Sequence, residues 1–183
     1  MKFEATEVEG CYVIEPEPRG DQRGFFARIF DADAFRQNGL ADRFVQVNNS
    51  MSLEAGTLRG MHYQIAPSGE DKLVRCVGGA VFDVVVDLRE RSPTFGRWTG
   101  VELSSENRRL LYAPKGCAHG FMTLAPSTEL IYFASAPHSA GDERVLRWDD
   151  PKFSICWPRA PTVLSDKDRG ARNYDPPRHA SGY

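Results

Sequence analysis

The most regular alternation in the chain is Ala80-Val81-Phe82-Asp83-Val84-Val85-Val86-Asp87-Leu88. It predicts a strand with Phe82, Val84, Val86 and Leu88 on one face and Val81, Asp83, Val85 and Asp87 on the other. Two carboxylates among valines imply that at least one faces a polar cavity, while a solvated strand end suits Asp87 better than Asp83. Shorter apolar or alternating runs predict further strands at 10–16, 27–30, 44–52, 58–64, 72–77, 98–103, 110–113 and 129–134. Between them stand Gly and Pro turns, among them Gly78-Gly79 and Ser92-Pro93-Thr94-Phe95-Gly96, and a tight loop at Arg19 to Gly24. One segment breaks the pattern: Asp31 to Leu40 offers an Asp N-cap, helix formers and Gly39 just past the end, which predicts a short helix. Many short strands with one or two short helices point to an all-β antiparallel sandwich or barrel. Residues 1–183 are expected to form one domain, with 170–183, rich in Pro and small polar residues, a mobile tail.

The stretch Leu58-Arg59-Gly60-Met61-His62-Tyr63-Gln64 concentrates the candidate chemistry. Arg59 and His62 are three residues apart, which in a regular strand places them on opposite faces. Either the strand serves two surroundings, or Gly60 kinks it so that both side chains reach one cavity. A lone histidine beside an apolar run is more often a packed or surface residue than a catalyst, so the assignment depends on its company.

Charge narrows the function classes. A formal net charge of -2 over 183 residues, with Lys and Arg interleaved among Asp and Glu, argues against a nucleic-acid partner. Apolar runs are too short to span a bilayer and no apolar leader core opens the chain, so a cytoplasmic protein without a membrane partner is expected. Cys11, Cys76, Cys117 and Cys156 form no C-x-x-C pair, which predicts buried free thiols rather than zinc or disulfides.

Seven segments in order carry a resemblance. They are Asp21-Gln22-Arg23-Gly24-Phe25-Phe26, Leu58 to Gln64, Lys72-Leu73-Val74-Arg75, Asp83 to Arg89, Ser92 to Gly96, Pro114-Lys115-Gly116-Cys117-Ala118-His119-Gly120-Phe121 and Trp148-Asp149-Asp150-Pro151. Together, over about residues 8 to 168, the chain resembles the dTDP-4-dehydrorhamnose 3,5-epimerase family. The resemblance implies a cupin-type jelly roll, a homodimer with strands exchanged across its interface, and a dTDP-linked 4-keto-6-deoxy sugar as substrate.

Inverting a carbon next to a ketone needs a base on one face, stabilisation of the enolate oxygen and an acid on the other face. His62 suits the base, since imidazole titrates near neutral pH and a carboxylate can orient it. The resemblance makes that carboxylate Asp168, with Asp166 as the competing assignment. It also makes Tyr132 the acid and Lys72 the group near the enolate oxygen, with Asp83 holding Lys72 or His119. Arg59 and Arg23 are the candidates for the diphosphate, with His119, Gln46 and Asn48 adding hydrogen bonds. Phe26 would stack on the nucleobase from the neighbouring subunit.

The first metal motif of many cupins, two histidines one residue apart with a glutamate, is missing, because Tyr63 and Gln64 follow His62. A mechanism without metal or cofactor is therefore expected. Two departures bear on the reaction. His138 stands where the family commonly has a second Tyr lining the sugar pocket, which leaves epimerisation at C3 alone open, and Arg28 stands where better-known members carry Glu. A cupin-fold 3,4-ketoisomerase and a non-catalytic sugar-nucleotide binding protein are the remaining alternatives; two histidines close together near the sugar would favour the first.

Overall fold

A computed structural model describes residues 1–183 and gathers the alternating segments into two antiparallel sheets. The strands are β1 (Lys2–Ala5), β2 (Tyr12–Glu15), β3 (Arg19–Asp21), β4 (Gly24–Phe26), β5 (Gln46–Ser52), β6 (Leu58–Gln64) and β7 (Lys72–Gly78). They continue with β8 (Ala80–Asp87), β9 (Trp98–Ser104), β10 (Leu110–Ala113), β11 (Cys117–Thr123), β12 (Thr128–Ala134) and β13 (Glu143–Val145). One sheet runs β1-β2-β10-β7-β12-β5 and the other β13-β6-β11-β8-β9, while β3 and β4 form a separate hairpin. Consecutive strands cross repeatedly from one sheet to the other, and the result is a cupin-type jelly roll.

Three apolar layers hold it together. Val74, Val81, Val85, Leu103, Phe121 and Leu130 fill the space between the sheets. Val84, Val86 and Leu88 point the other way, where Leu146, Phe153, Trp157 and Tyr174 from the later part of the chain cover the outer face. Both faces of β8 are thus buried, which is why its polar-looking alternation carries so many valines. The third layer lies outside the other sheet, where helix α1 (Ala32–Gln37) seats Phe35 against Ile14, Leu73 and Tyr112. As expected, Asp31 caps this helix by accepting from Ala34 N at 3.1 Å, and Gly39 follows it at φ +72°. Complete burial of Phe35 contributes about 2–3 kcal/mol.

Four expectations are corrected. Residues 27–30 pair with no strand; the apolar run instead packs Phe30 edge-on against Phe35 and Phe44. Asp87 is no solvated strand end: it is fully buried and accepts from Arg89 at 2.9 Å, Ser92 at 2.6 Å and Thr94 at 2.6 Å. Cys156 is exposed, whereas Cys11, Cys76 and Cys117 are buried free thiols.

The segment from 170 onward is docked rather than mobile. It forms a helical turn, α3 (Pro176–His179), and buries His179 and Ser181. Its backbone is held from the body of the fold: Tyr63 Oη donates to His179 O at 2.8 Å and Ala66 N to Ser181 O at 2.9 Å. Ser181 Oγ returns a bond to Leu88 O at 3.1 Å. These hydrogen bonds, with Tyr174 packed edge-on against Phe95 and Phe153, fix a segment that shows no apolar period.

Candidate active site

The cavity between the sheets has a volume of about 490 Å³ and draws on both walls. Arg59 and His62 of β6 and His119 and Phe121 of β11 form one wall; Lys72 and Val74 of β7 and Leu130 and Tyr132 of β12 form the other. Of the two geometries open to Arg59 and His62, the kinked one is realised. His119 pairs with His62 and Phe121 with Arg59, so three steps along β6 match two along β11, and the extra residue turns both side chains inward. Gly60 makes this possible. It sits at φ +127°, and a Cβ there would lie 2.6 Å from Gly120 Cα.

Asp168 arrives from helix α2 (Asp166–Arg169), a single turn whose start is capped by Ser165 Oγ accepting from Asp168 N at 3.1 Å. Its Oδ1 lies 2.6 Å from His62 Nε2. Burial pushes the Asp168 carboxyl up, but the bond and charge of His62, with Ser165 and the Gly60 amide, hold it below the usual range. An ionised Asp168 accepts the Nε2 proton and leaves Nδ1 as the basic nitrogen of His62. The competing Asp166 is exposed.

Asp83 binds His119, Oδ1 to Nε2 at 2.7 Å, and does not hold Lys72. The register explains this: Asp83 lies opposite Phe121 on β11, one diagonal step from His119, whereas Lys72 belongs to the other sheet. Lys72 Nζ instead lies 3.1 Å from Glu70 Oε1 and donates to His62 O at 3.4 Å. Tyr132 faces the imidazole wall. Burial, and next the Glu70 charge, push its phenol up against the pull of Arg59, so it stays protonated as a donor.

Arg59 is steadied by bonds to Ser52 Oγ at 3.2 Å and Met51 O at 3.0 Å. Asn48 is the cross-strand partner of Tyr132, and by alternation Gln46, Asn48 and the cavity-lining Ser50 share one side of β5. Gln46 Oε1 accepts from His138 N at 2.9 Å. His138 itself is exposed, with Nε2 3.8 Å from Glu143 Oε2. Arg23 and Phe26 are not brought in: they sit on the β3–β4 hairpin, where Arg23 pairs with Asp21 and Phe26 is 68% exposed. No group of three or more His, Cys, Asp or Glu side chains is arranged to hold a metal ion.

Sequence reasoning missed Glu70 and Glu143. Glu143 lies on β13, a three-residue edge strand too short to show a period, and binds Lys167 of α2 at 2.6 Å. Glu70 sits in the irregular turn before β7, where no pattern marks it.

Two antiparallel sheets closed around a cavity lined by His62, His119, Lys72 and Tyr132 define a cupin-type protein with acid–base groups in its barrel. A model of the dTDP-4-dehydrorhamnose 3,5-epimerase family matches residues 5–175. An enzyme of that name from Sinorhizobium fredii is 47% identical over 169 residues, 92% of this chain and 87% of its own length. The dTDP-6-deoxy-D-glucose-3,5-epimerase of Legionella pneumophila, in complex with dTDP-4-keto-L-rhamnose, superposes with a TM-score of 0.88 at 41% identity, covering 94% of this chain and 92% of that one. A 3'-monoepimerase from Streptomyces bikiniensis, in complex with dTDP-quinovose, gives 0.85 at 36% identity over 92% and 85%. The chain belongs to the dTDP-4-dehydrorhamnose 3,5-epimerase family. His62 and His119 are cross-strand neighbours, the arrangement expected of a ketoisomerase, but each is tied to its own carboxylate and the family match decides for an epimerase.

Proposed function

We propose that the chain epimerises a dTDP-linked 4-keto-6-deoxyhexose at C3 and C5, with His62 as base and Tyr132 as acid. The observation that carries this is their placement on facing sheets across one cavity, which allows removal of a proton from one side of a carbon and return from the other. His62 Nδ1 takes the proton next to the ketone, and the electron pair moves onto the ketone oxygen, where the Lys72 ammonium stabilises it. Tyr132 then delivers its proton to the opposite face. Solvent resets both groups, so the proton inventory closes on the chain's own residues and calls for no cofactor. Asp168 orients His62, and Asp83 orients His119.

Arg59 and His119 would bind the diphosphate, with Gln46 and Asn48 extending the site along β5. Arg23 and Phe26 stand too far out to serve this cavity, and we assign them to the cavity of a second copy. Two features support such a homodimer: the exposed hairpin, and the outward side of edge strand β5, where Val47 and Met51 lead to Leu53, 76% exposed. Three buried free thiols suit a reducing, cytoplasmic setting.

The test is incubation with dTDP-4-keto-6-deoxyglucose in deuterated water, with deuterium counted at C3 and C5 by NMR. Incorporation at both carbons is expected, and none at either would refute the proposal. Incorporation at C3 alone would select the second reading, a C3 epimerase, which His138 in the position of the family's second Tyr favours.

A further inference from the structure

Each imidazole of the cavity has its own carboxylate, Asp168 for His62 and Asp83 for His119. The cavity's ammonium has one as well. Glu70 Oε1 stands 3.1 Å from Lys72 Nζ, and the two side chains are only 12% and 11% exposed. An ammonium has three donors and no acceptor. Here one is directed at Glu70 and a second at His62 O, 3.4 Å away on the base's own backbone. Those two anchors fix the tetrahedral head, and the third donor is left for the substrate. From Glu70 and the Lys72–His62 contact we infer that Glu70 is a positioning residue, aiming the free Lys72 donor at the ketone oxygen and keeping its charge compensated away from water.

This rests on the epimerase reading above, and it adds a residue to which no role is otherwise assigned. A merely structural Glu70 would tie the turn before β7 to the sheet and leave the chemistry alone. The positioning role goes further, because the carboxylate also acts on the acid. Burial raises the Tyr132 phenol most and the Glu70 charge next, with Arg59 opposing and Glu143 adding; His62, His119 and Lys72 line the same cavity. Removing the Glu70 charge therefore lets Tyr132 ionise at lower pH, which withdraws the proton donor sooner as pH rises.

The experiment compares Glu70→Gln, Glu70→Ala and Glu70→Asp with the unaltered chain in the deuterium assay, over pH 6 to 10, with folding checked by circular dichroism. In Glu70→Ala, kcat is expected to fall about 10- to 100-fold, the scale of a misaimed catalytic group, with KM changed less than about twofold. Glu70→Gln keeps an acceptor for Lys72, so its rate loss is smaller, but its alkaline limb moves to lower pH. Glu70→Asp restores most of the rate and the limb. Folded Gln and Ala variants with unaltered kcat and pH profile would overturn the role of Glu70 alone. Absence of exchange in the unaltered chain would overturn the epimerase reading and this role with it.

Discussion

Gly60→Ala tests whether one backbone position joins the fold to the chemistry. The added Cβ would stand 2.6 Å from Gly120 Cα, 3.0 Å from His119 O and 3.4 Å from Gly120 N. All three are backbone atoms in the middle of a buried sheet, so no side chain can rotate away. The φ of +127° adds a conformation that L-residues rarely adopt, at a cost of about 1–3 kcal/mol. Forcing β6 away from β11 adds overpacking of about 1–3 kcal/mol. Together these come to about 2–6 kcal/mol, against a total stability of about 5–15 kcal/mol for a domain. Urea unfolding at pH 7 reads the loss as a lower midpoint. The deuterium assay on the folded fraction reads the second effect: once the bulge relaxes, Arg59 and His62 no longer share a cavity, and exchange falls at least about tenfold. A variant with an unaltered midpoint and full exchange would refute the argument that Gly60 sets this geometry.

Other outcomes follow from the contacts described above. Asp168→Asn replaces an acceptor-only carboxylate with an amide that can also present a donor to His62 Nε2, so the tautomer is no longer fixed, and kcat is expected to drop about 100-fold or more with KM nearly constant, measured by steady-state kinetics. Asp87 tests acid stability. Burial raises its carboxyl, but Arg89, Ser92 and Thr94 hold it net below the usual range, so its stabilisation is full above the unfolded value of about 3.9 and disappears as pH falls through the lower folded value. Asp87→Asn should therefore cost about 3 kcal/mol near pH 7 by chemical denaturation, a gap that narrows below pH about 4 and would refute the assignment if it stayed constant. If the outer side of β5 forms the homodimer proposed above, the unaltered chain sediments as a dimer and Val47→Lys with Leu53→Lys shifts it to monomer while leaving its circular dichroism intact. A variant that remains dimeric would remove the outer side of β5 from the interface.

The central strands are legible because they bury both faces and are long enough to show it, as β8 does with Val81, Val85, Val84 and Val86. Helix α1 is legible for another reason: Asp31 and Gly39 mark its ends by local chemistry. What escapes reading is held by single polar contacts between distant segments. Asp87 looks like a solvated strand end until Arg89, Ser92 and Thr94 fold over it, and the small polar residues after 170 look mobile until Tyr63 and Ala66 bind their carbonyls. Within the site, His62, Tyr132, Lys72 and Asp168 could be found by motif, and the cavity gathers them. The partner of Lys72 could not, because Glu70 lies in an irregular turn where no spacing constrains it.

His62 and Asp168 are separated by 106 residues of sequence. At a synthesis rate of about 5–20 residues per second, the carboxylate is made roughly 5–20 s after the histidine it orients. Through that interval the two sheets can already be assembling around a cavity whose base has no fixed tautomer. By the roles proposed above, the nascent chain holds His62 without its orienting carboxylate until α2 has formed and docked. A released chain that stops before residue 165 would carry every strand of both sheets yet lack the carboxylate that orients His62, so its sheet content would overstate its activity.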